Sequence, residues 1–397
     1  MNVINDIFQE FRKNKSNMEM SIEEFKDNIS KFKDRIVLYG AGSSGIAFLY
    51  FLRYQGIEPI YFIDADKKKQ GNMCENLRIL SPKDGVKVVG NNCLVIVCIN
   101  TDGKRYCKSF DEALSIGGHH AVYSQLRKYG YRNIIDYTYF RKCYKLFEHE
   151  EYNAPSCSDV YLMEKNETII SEIYERLSDK KSKSIYENII RFRLLDDSLT
   201  IPTDSQDKQY FEYDYWNKDK DEVVLDIGAY NGISLKTFLL ENENNFSKYY
   251  CIEPDQYNYN NLIKYIDSLD ISIKNKIICI NKCLWSHNTN LNLYALNGPG
   301  SFVSSIGKQK TEAITIDKLM NNKKVSFIKM NIEGSEKQAL LGGKQTICGY
   351  KPKLAVAGYH KTDDLWRIPQ IILNYRNDYK IYLKSYMNHI SFIYYCV

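Results

Sequence analysis

Two carboxylates and a run of small residues carry the clearest chemistry in this chain. Asp226, Gly228, Ala229 and Gly232 lie within VVLDIGAYNG at 223–232, and Glu253 ends the apolar run YYCIEPD. A strand that ends at Asp226 and turns through Gly228, Ala229 and Gly232 into a helix lets backbone approach a ligand closely. It also aims a helix N-terminus at that ligand. An acid at the end of the next strand, where Glu253 falls, can accept hydrogen bonds from both hydroxyls of a ribose. Any adenosine-type ligand fits the pair. Asp226 narrows the choice, because a carboxylate in the turn attracts the ammonium group of S-adenosylmethionine and repels the pyrophosphate of a dinucleotide. Other nucleotides, and a turn kept only for helix–sheet packing, are the competing readings of these residues.

A second glycine turn stands earlier, in LYGAGSSG at 38–45. Gly40, Gly42 and Gly45 match G-x-G-x-x-G, Ser43 and Ser44 open the helix, and Asp64 ends the following strand. This turn contains no acid, so its helix N-terminus is free to hold a pyrophosphate. Other groups have plainer readings. The eleven cysteines are odd in number and irregular in spacing, and several lie in strand-like runs, which points to reduced thiols. Cys279 and Cys283 lack the second pair that a zinc site would need. His119-His120 reads as a loop, and Lys67-Lys68-Lys69 as a solvated turn.

Positioning these residues requires two α/β units. At 397 residues the chain can bury two cores, and 44% apolar with 26% charged residues is ordinary for a globular protein. The net charge of +5, without a long basic run, argues against nucleic acid as a partner. MNVINDIFQEFRKNK lacks the uninterrupted apolar core of a signal peptide. No run approaches the roughly 18 apolar residues that span a bilayer, so a cytoplasmic protein without a transmembrane segment is expected.

Residues 1–33 read as helices, with a capping box at Ser21-Ile-Glu-Glu24 and Ile22, Phe25, Ile29 and Phe32 at helical spacing; packing or a homodimer contact is their expected use. Residues 34–150 alternate strand and helix as a Rossmann-like domain, through RIVLYG, IEPIYFID, LVIVCIN and RNIIDY. Residues 151–208 read as a helical connector. From 209 to 397 a second alternation runs through EVVLDIGAYNG, YYCIEPD, IICINKCLW, VSFIKMNIEG and KLAVAGYH. It closes with YKIYLKSY and ISFIYYCV, whose short connection permits only antiparallel pairing.

From about Gln209 onward the ordered motifs QYF, LDIGAYNG, CIEPD, NKCLW, TIDKL, FIKMNIEG and YHKTDDLWRIP resemble those of the FkbM-type methyltransferases. The resemblance implies a class I methyltransferase fold using S-adenosyl-L-methionine, and O-methylation of a sugar hydroxyl in a glycan or nucleotide-sugar. By carry-over, Asp226, Gly228, Ala229 and Gly232 form the cofactor turn and Glu253 the ribose acid. Asp255 and Asn258 are further contacts, and Cys283 and Leu284 lie near the adenine. Lys329, Asn331 and Glu333 fall at the end of the fourth strand and His360 at the end of the fifth.

His360 is the expected general base, Lys329 and Glu333 are expected to position substrate, and Asp363 and Trp366 to face the sugar ring. Asn331 and Ser385 depart from the family pattern, where an aspartate and a histidine are usual. An amide cannot take a proton or bind a divalent ion as an acid would, so neither a catalytic role nor a metal is assigned to Asn331; no metal ligands are named, and assistance by a divalent metal is left open. FIDADKKKQGNMCENLRIL resembles Rossmann modules attached to sugar-modifying transferases, which implies a nucleotide-sugar for the first turn. NAD-like binding and an empty cleft are the other readings there. The alternative to an enzyme is a non-catalytic scaffold of glycan assembly that binds nucleotide-sugar through the first domain.

Overall fold

The computed structural model describes residues 3–18, 22–99, 110–116, 121–140, 160–195, 203–211, 214–304, 307–387 and 391–397. The chain forms two compact units. One comprises Phe8–Val160 with Arg193–Ser198; the other comprises Met1–Ile7, Tyr161–Phe192 and Leu199–Val397.

The unit containing Phe8–Val160 is built on strands β1 (Ile36–Tyr39), β2 (Tyr61–Ile63), β3 (Met73–Cys74), β4 (Leu77–Leu80), β5 (Leu94–Val97) and β6 (Asn133–Asp136). Their order is β3-β4-β2-β1-β5-β6, parallel except for β3. IVLY, YFI and LVIV are buried throughout, as strands covered on both faces must be. The chain reverses between β3 and β4 through Glu75 and Asn76, both at positive φ, the conformation of a tight hairpin. Phe25 and Ile29 are buried as their helical spacing requires. Ser21 of the capping box, and His119-His120, lie outside the described residues.

The other unit has a main sheet of β7 (Val223–Ile227), β8 (Lys248–Ile252), β9 (Ile277–Ile280), β14 (Phe327–Met330), β15 (Lys353–Ala357), β16 (Ile381–Met387) and β17 (Ser391–Cys396). The order is β16-β17-β15-β14-β7-β8-β9. β17 runs antiparallel to both β15 and β16, so an antiparallel hairpin closes a parallel sheet, as the sequence predicts. The order reverses at β7, whose neighbours are β8 and β14. A crevice opens at the carboxyl end of such a strand.

A smaller sheet in the same unit holds β10 (Cys283–Leu284), β11 (Thr289–Tyr294), β12 (Phe302–Val303) and β13 (Gln309–Ile314) in the order β10-β13-β11-β12. IICINKCLW is therefore two strands in two sheets. Asn281 turns the chain between them, donating from Nδ2 to the carbonyls of Glu253 and Pro254. Cys279 pairs in register with Cys251 across β8 and β9 instead of facing Cys283.

The segment expected as a connector supplies the helix Glu167–Arg176 to this second unit. Just beyond it, Leu177 bridges Ile381 and the Ser178 amide donates to the Ile381 carbonyl, extending the edge of the sheet at β16.

Candidate active site

The turn after β7 is shaped by backbone crowding. Gly228 and Gly232 sit at φ +84° and +90°, and a Cβ on Gly228 would lie 2.1 Å from the Asn331 carbonyl oxygen. Only glycine fits there. The amides of Gly228 and Ala229 both donate to the Ile252 carbonyl, which ties the turn to β8. Gly232 then caps the helix Ile233–Glu241 with no side-chain oxygen, leaving its first amides for a ligand.

Glu253 stands across the turn. Its Oε2 accepts from the Tyr230 amide at 2.8 Å and its Oε1 from the Asp255 amide at 3.0 Å. Burial pushes its carboxyl up to about 7, against the lowering effect of those two hydrogen bonds. Each carboxylate oxygen keeps acceptor capacity for a further donor.

This carboxylate lines a cavity of about 680 Å³. Its wall includes Glu253, Asn258, Cys283, Leu284 and the loop Gly298–Val303, together with Tyr210, Lys329, Asn331 and Glu333. Burial raises the Cys283 thiol to about 12, so it is an uncharged wall. Asn258 donates to the Gly298 carbonyl, while its Oδ1 is buried and accepts no hydrogen bond among the described residues.

Asp226 is placed otherwise than expected. It is fully buried, does not line the cavity, and pairs with Lys329 at 2.9 Å. Its other oxygen accepts from Ser234 Oγ and the Tyr249 hydroxyl. A carboxylate already neutralised by an ammonium neither attracts a ligand's amino group strongly nor repels a phosphate, so selection by a free charge in the turn is corrected. Asp226 instead fixes Lys329, whose Nζ also donates to the Gly228 carbonyl at 2.6 Å. Asp255 is a helix cap: Oδ1 accepts from the Tyr257 and Asn258 amides and Oδ2 from Ser301.

Asn331, also in the wall, is held on both sides, donating to the Tyr210 hydroxyl at 2.9 Å and accepting from that of Tyr359 at 3.3 Å. Glu333 follows at φ +53°, on a turn whose Ile332 and Gly334 amides donate to the buried Glu336 carboxylate. His360 lies behind this turn and does not reach the cavity. Its Nδ1 is 2.9 Å from Glu336 and its Nε2 3.6 Å from Glu333. Burial alone lowers the imidazole, but Glu336 and Glu333 outweigh it and hold the ring well above its ordinary range. Trp366 is wholly buried, which removes it as a platform for a sugar, and Asp363 pairs with Lys337.

Residues 226–383 match the model of the methyltransferase FkbM domain. This segment is an FkbM methyltransferase domain. The crystal structure of a methyltransferase FkbM from Methylobacillus flagellatus KT is similar to the present chain with a TM-score of 0.66, covering 99% of each chain at 19% identity, a likeness of fold. A candidate rRNA-methylase from Clostridium thermocellum covers 50% of this chain and 97% of its own at 11% identity, with a TM-score of 0.32, too slight to carry an argument. A search of curated proteins finds no match.

The FkbM domain's cavity brings together Gly228, Glu253, Cys283, Leu284, Lys329 and Glu333, and leaves Asp226, Asp255 and His360 outside its wall. Sequence reasoning missed Tyr210, Tyr230 and the loop Gly298–Val303 as lining residues. Tyr230 was detectable in principle, being the residue of the glycine turn whose amide Glu253 binds. The loop comes from the smaller sheet, and no local spacing announces it.

The first turn has its own geometry. Ala41 donates its amide to Asp64 Oδ2 at 2.9 Å, and Asp66 to Asp64 Oδ1 at 2.9 Å. Lys69 contacts both Asp64 and the Ala41 carbonyl, so the lysine run is more than a solvated turn. Gly42 caps the helix Ser43–Tyr54 without a side-chain hydrogen bond. Among the described residues, no helix is long and apolar enough to cross a membrane.

Proposed function

We propose that the FkbM domain uses S-adenosylmethionine to methylate a hydroxyl group of a sugar. The observation that carries this reading is the single cavity lined by both the Glu253 carboxylate and Glu333. Glu253 takes the ribose hydroxyls, Cys283 and Leu284 flank the adenine, and the uncapped helix at Gly232 with Lys329 receives the amino-acid carboxylate. The methyl group already sits on a good leaving group. The protein's tasks are then in-line placement, exclusion of water and removal of the acceptor's proton.

Glu333 is the group we assign to that proton, because it faces the cavity, whereas His360 is buried behind it. His360 Nε2 orients Glu333, and the clamped Asn331 amide offers hydrogen bonds to the acceptor. A sugar hydroxyl is a weak nucleophile until its proton is accepted, and such general-base help is worth roughly 10²–10⁴ in rate. In the first unit, Lys69 beside an uncapped helix N-terminus favours the diphosphate of a nucleotide-linked sugar.

Calorimetry with S-adenosylmethionine and its demethylated product tests the cofactor, and mass spectrometry of a glycan pool given labelled cofactor tests the acceptor. Glu253→Ala should lower cofactor affinity at least tenfold, about 1.4 kcal/mol. Glu333→Gln should lower turnover by ~10²-fold or more with cofactor affinity kept. A full-length protein that binds neither cofactor form would overturn the enzyme reading in favour of a scaffold.

A further inference from the structure

We infer that Glu336, His360 and Asp364 form a divalent-cation site behind Glu333. One donor atom from each lies within 4.8 Å of the others. All three side chains are buried: Glu336 and Asp364 are 0% exposed and His360 is 3% exposed. None of them lines the cavity, so the ion would not touch substrate.

Each donor is oriented as a ligand. Glu336 is fixed by the Ile332 and Gly334 amides, one on each oxygen. Asp364 Oδ2 accepts from the Lys361 amide at 2.8 Å, which leaves Oδ1 pointing inward. That Oδ1 is buried and accepts no hydrogen bond among the described residues; Lys337 Nζ is 3.9 Å away and engaged with Asp363. His360 Nδ1 stands 2.9 Å from Glu336 Oε1. Two donors bound at right angles, each about 2.1 Å from an ion, lie about 3 Å apart. His360 Nε2 lies 3.6 Å from Glu333, which puts a carboxylate on the far side of the ring, the side where outer partners of metal-bound histidines stand.

The charge balance points the same way. Glu336 and Asp364 are both wholly buried, and Lys337, 3.9 Å from Asp364, is engaged with Asp363. With His360 acting as a neutral ligand, that buried pair requires a compensating positive charge, which the ion would supply. Two oxygens and one imidazole nitrogen suit Mn²⁺ or Zn²⁺. The ion would tie the strained Glu333 turn to the end of β15 and so set the reach of Glu333 into the cavity.

The test uses the full-length chain, stripped with chelator and titrated separately with MnCl₂ and ZnCl₂, and it is independent of cofactor binding. One ion per chain is expected, with nitrogen coupling from an imidazole in the pulsed electron-paramagnetic spectrum of the Mn²⁺ form. Asp364→Asn should weaken binding at least tenfold, and Glu333→Gln, as an outer partner, by ~10–100-fold. If folded wild type takes up neither ion, or takes up Mn²⁺ without imidazole coupling, the site does not exist. His360 then pairs with Glu336 as a protonated ring. Equal uptake by wild type and folded Asp364→Asn would overturn the proposal as well.

Discussion

The two glycine turns share a frame and differ in charge. Each follows a strand where the order of its sheet reverses: β1 lies between β2 and β5, and β7 between β8 and β14. Each is tied to an acid at the end of the next strand. Asp64 accepts the amides of Ala41 and Asp66, and Glu253 those of Tyr230 and Asp255. The difference lies in where the lysine sits. In the first turn Lys69 pairs with the acid itself, at 3.3 Å, and keeps about a third of its side chain exposed. In the second, Lys329 neutralises Asp226 below the turn, and Glu253 forms no ion pair among the described residues. The same backbone device thus carries an acid paired with a lysine in one unit and an acid without an ion pair among the described residues in the other.

Removing the two lysines should separate these cases most widely. Lys329→Ala strands a fully buried Asp226 charge, a loss of about 3–5 kcal/mol, whereas Lys69→Ala breaks a partly exposed pair worth about 0–1 kcal/mol. Urea unfolding followed by probes in each unit measures both. Adding Asp226→Asn to Lys329→Ala should restore part of the loss. Comparable losses from the two lysine variants would erase the distinction drawn here.

The next largest effect comes from pH. The folded carboxyl of Glu253 titrates at about 7 and an unfolded one near 4.5, so between these values the folded chain holds a proton that the unfolded chain has released. By linkage, stability then falls as pH rises through that window and is level above it, by about 3 kcal/mol at most. Asp364, also raised to about 7 by burial, acts with the same sign. The readout is therefore the difference in melting temperature between wild type and Glu253→Gln. Affinity for the adenosine ligand should run oppositely, rising with pH as the ionised carboxylate gains acceptance from both hydroxyls. An affinity flat from pH 6 to 8 would take Glu253 out of ligand recognition.

The parallel α/β sheets and the closing antiparallel pair were legible because apolar runs and glycine turns are local signals, though the strand orders and the smaller sheet were not. YYCIEPD gives a strand and an acid, and the closing pair had to be antiparallel for want of a crossover. Gly228 and Glu253, which line the cavity, followed from the same local rules, whereas Ala229 and Gly232 of the same turn do not line it. What sequence could not give was which charges were already engaged. Asp226 sits at the expected place, but Lys329, 103 positions on, consumes its charge. His360 lies three residues past the end of β15, near where it was expected, yet Glu336 and Glu333 enclose it. These are pairings between elements far apart in sequence, and spacing along a chain does not encode them.

The smallest effects bear on whether the first turn holds a ligand at all. A Cβ on Gly45 would stand 1.9 Å from the Gly40 carbonyl oxygen, so Gly45→Ala should cost about 1–3 kcal/mol through overpacking, with or without ligand. A Cβ on Gly42 meets only Lys69 Nζ, at 4.0 Å, so Gly42→Ala should alter stability by no more than about 0.5 kcal/mol. Yet Gly42 is the second glycine of the motif, where a diphosphate would approach the backbone and the added methyl would stand in its path. Thermal shifts with UDP-, GDP- and CDP-sugars should therefore appear in wild type and vanish in Gly42→Ala, whose own melting point stays put. If wild type shows no shift with any of the three, Lys69 serves only to neutralise Asp64, and the first glycine turn is a packing device beside one that binds.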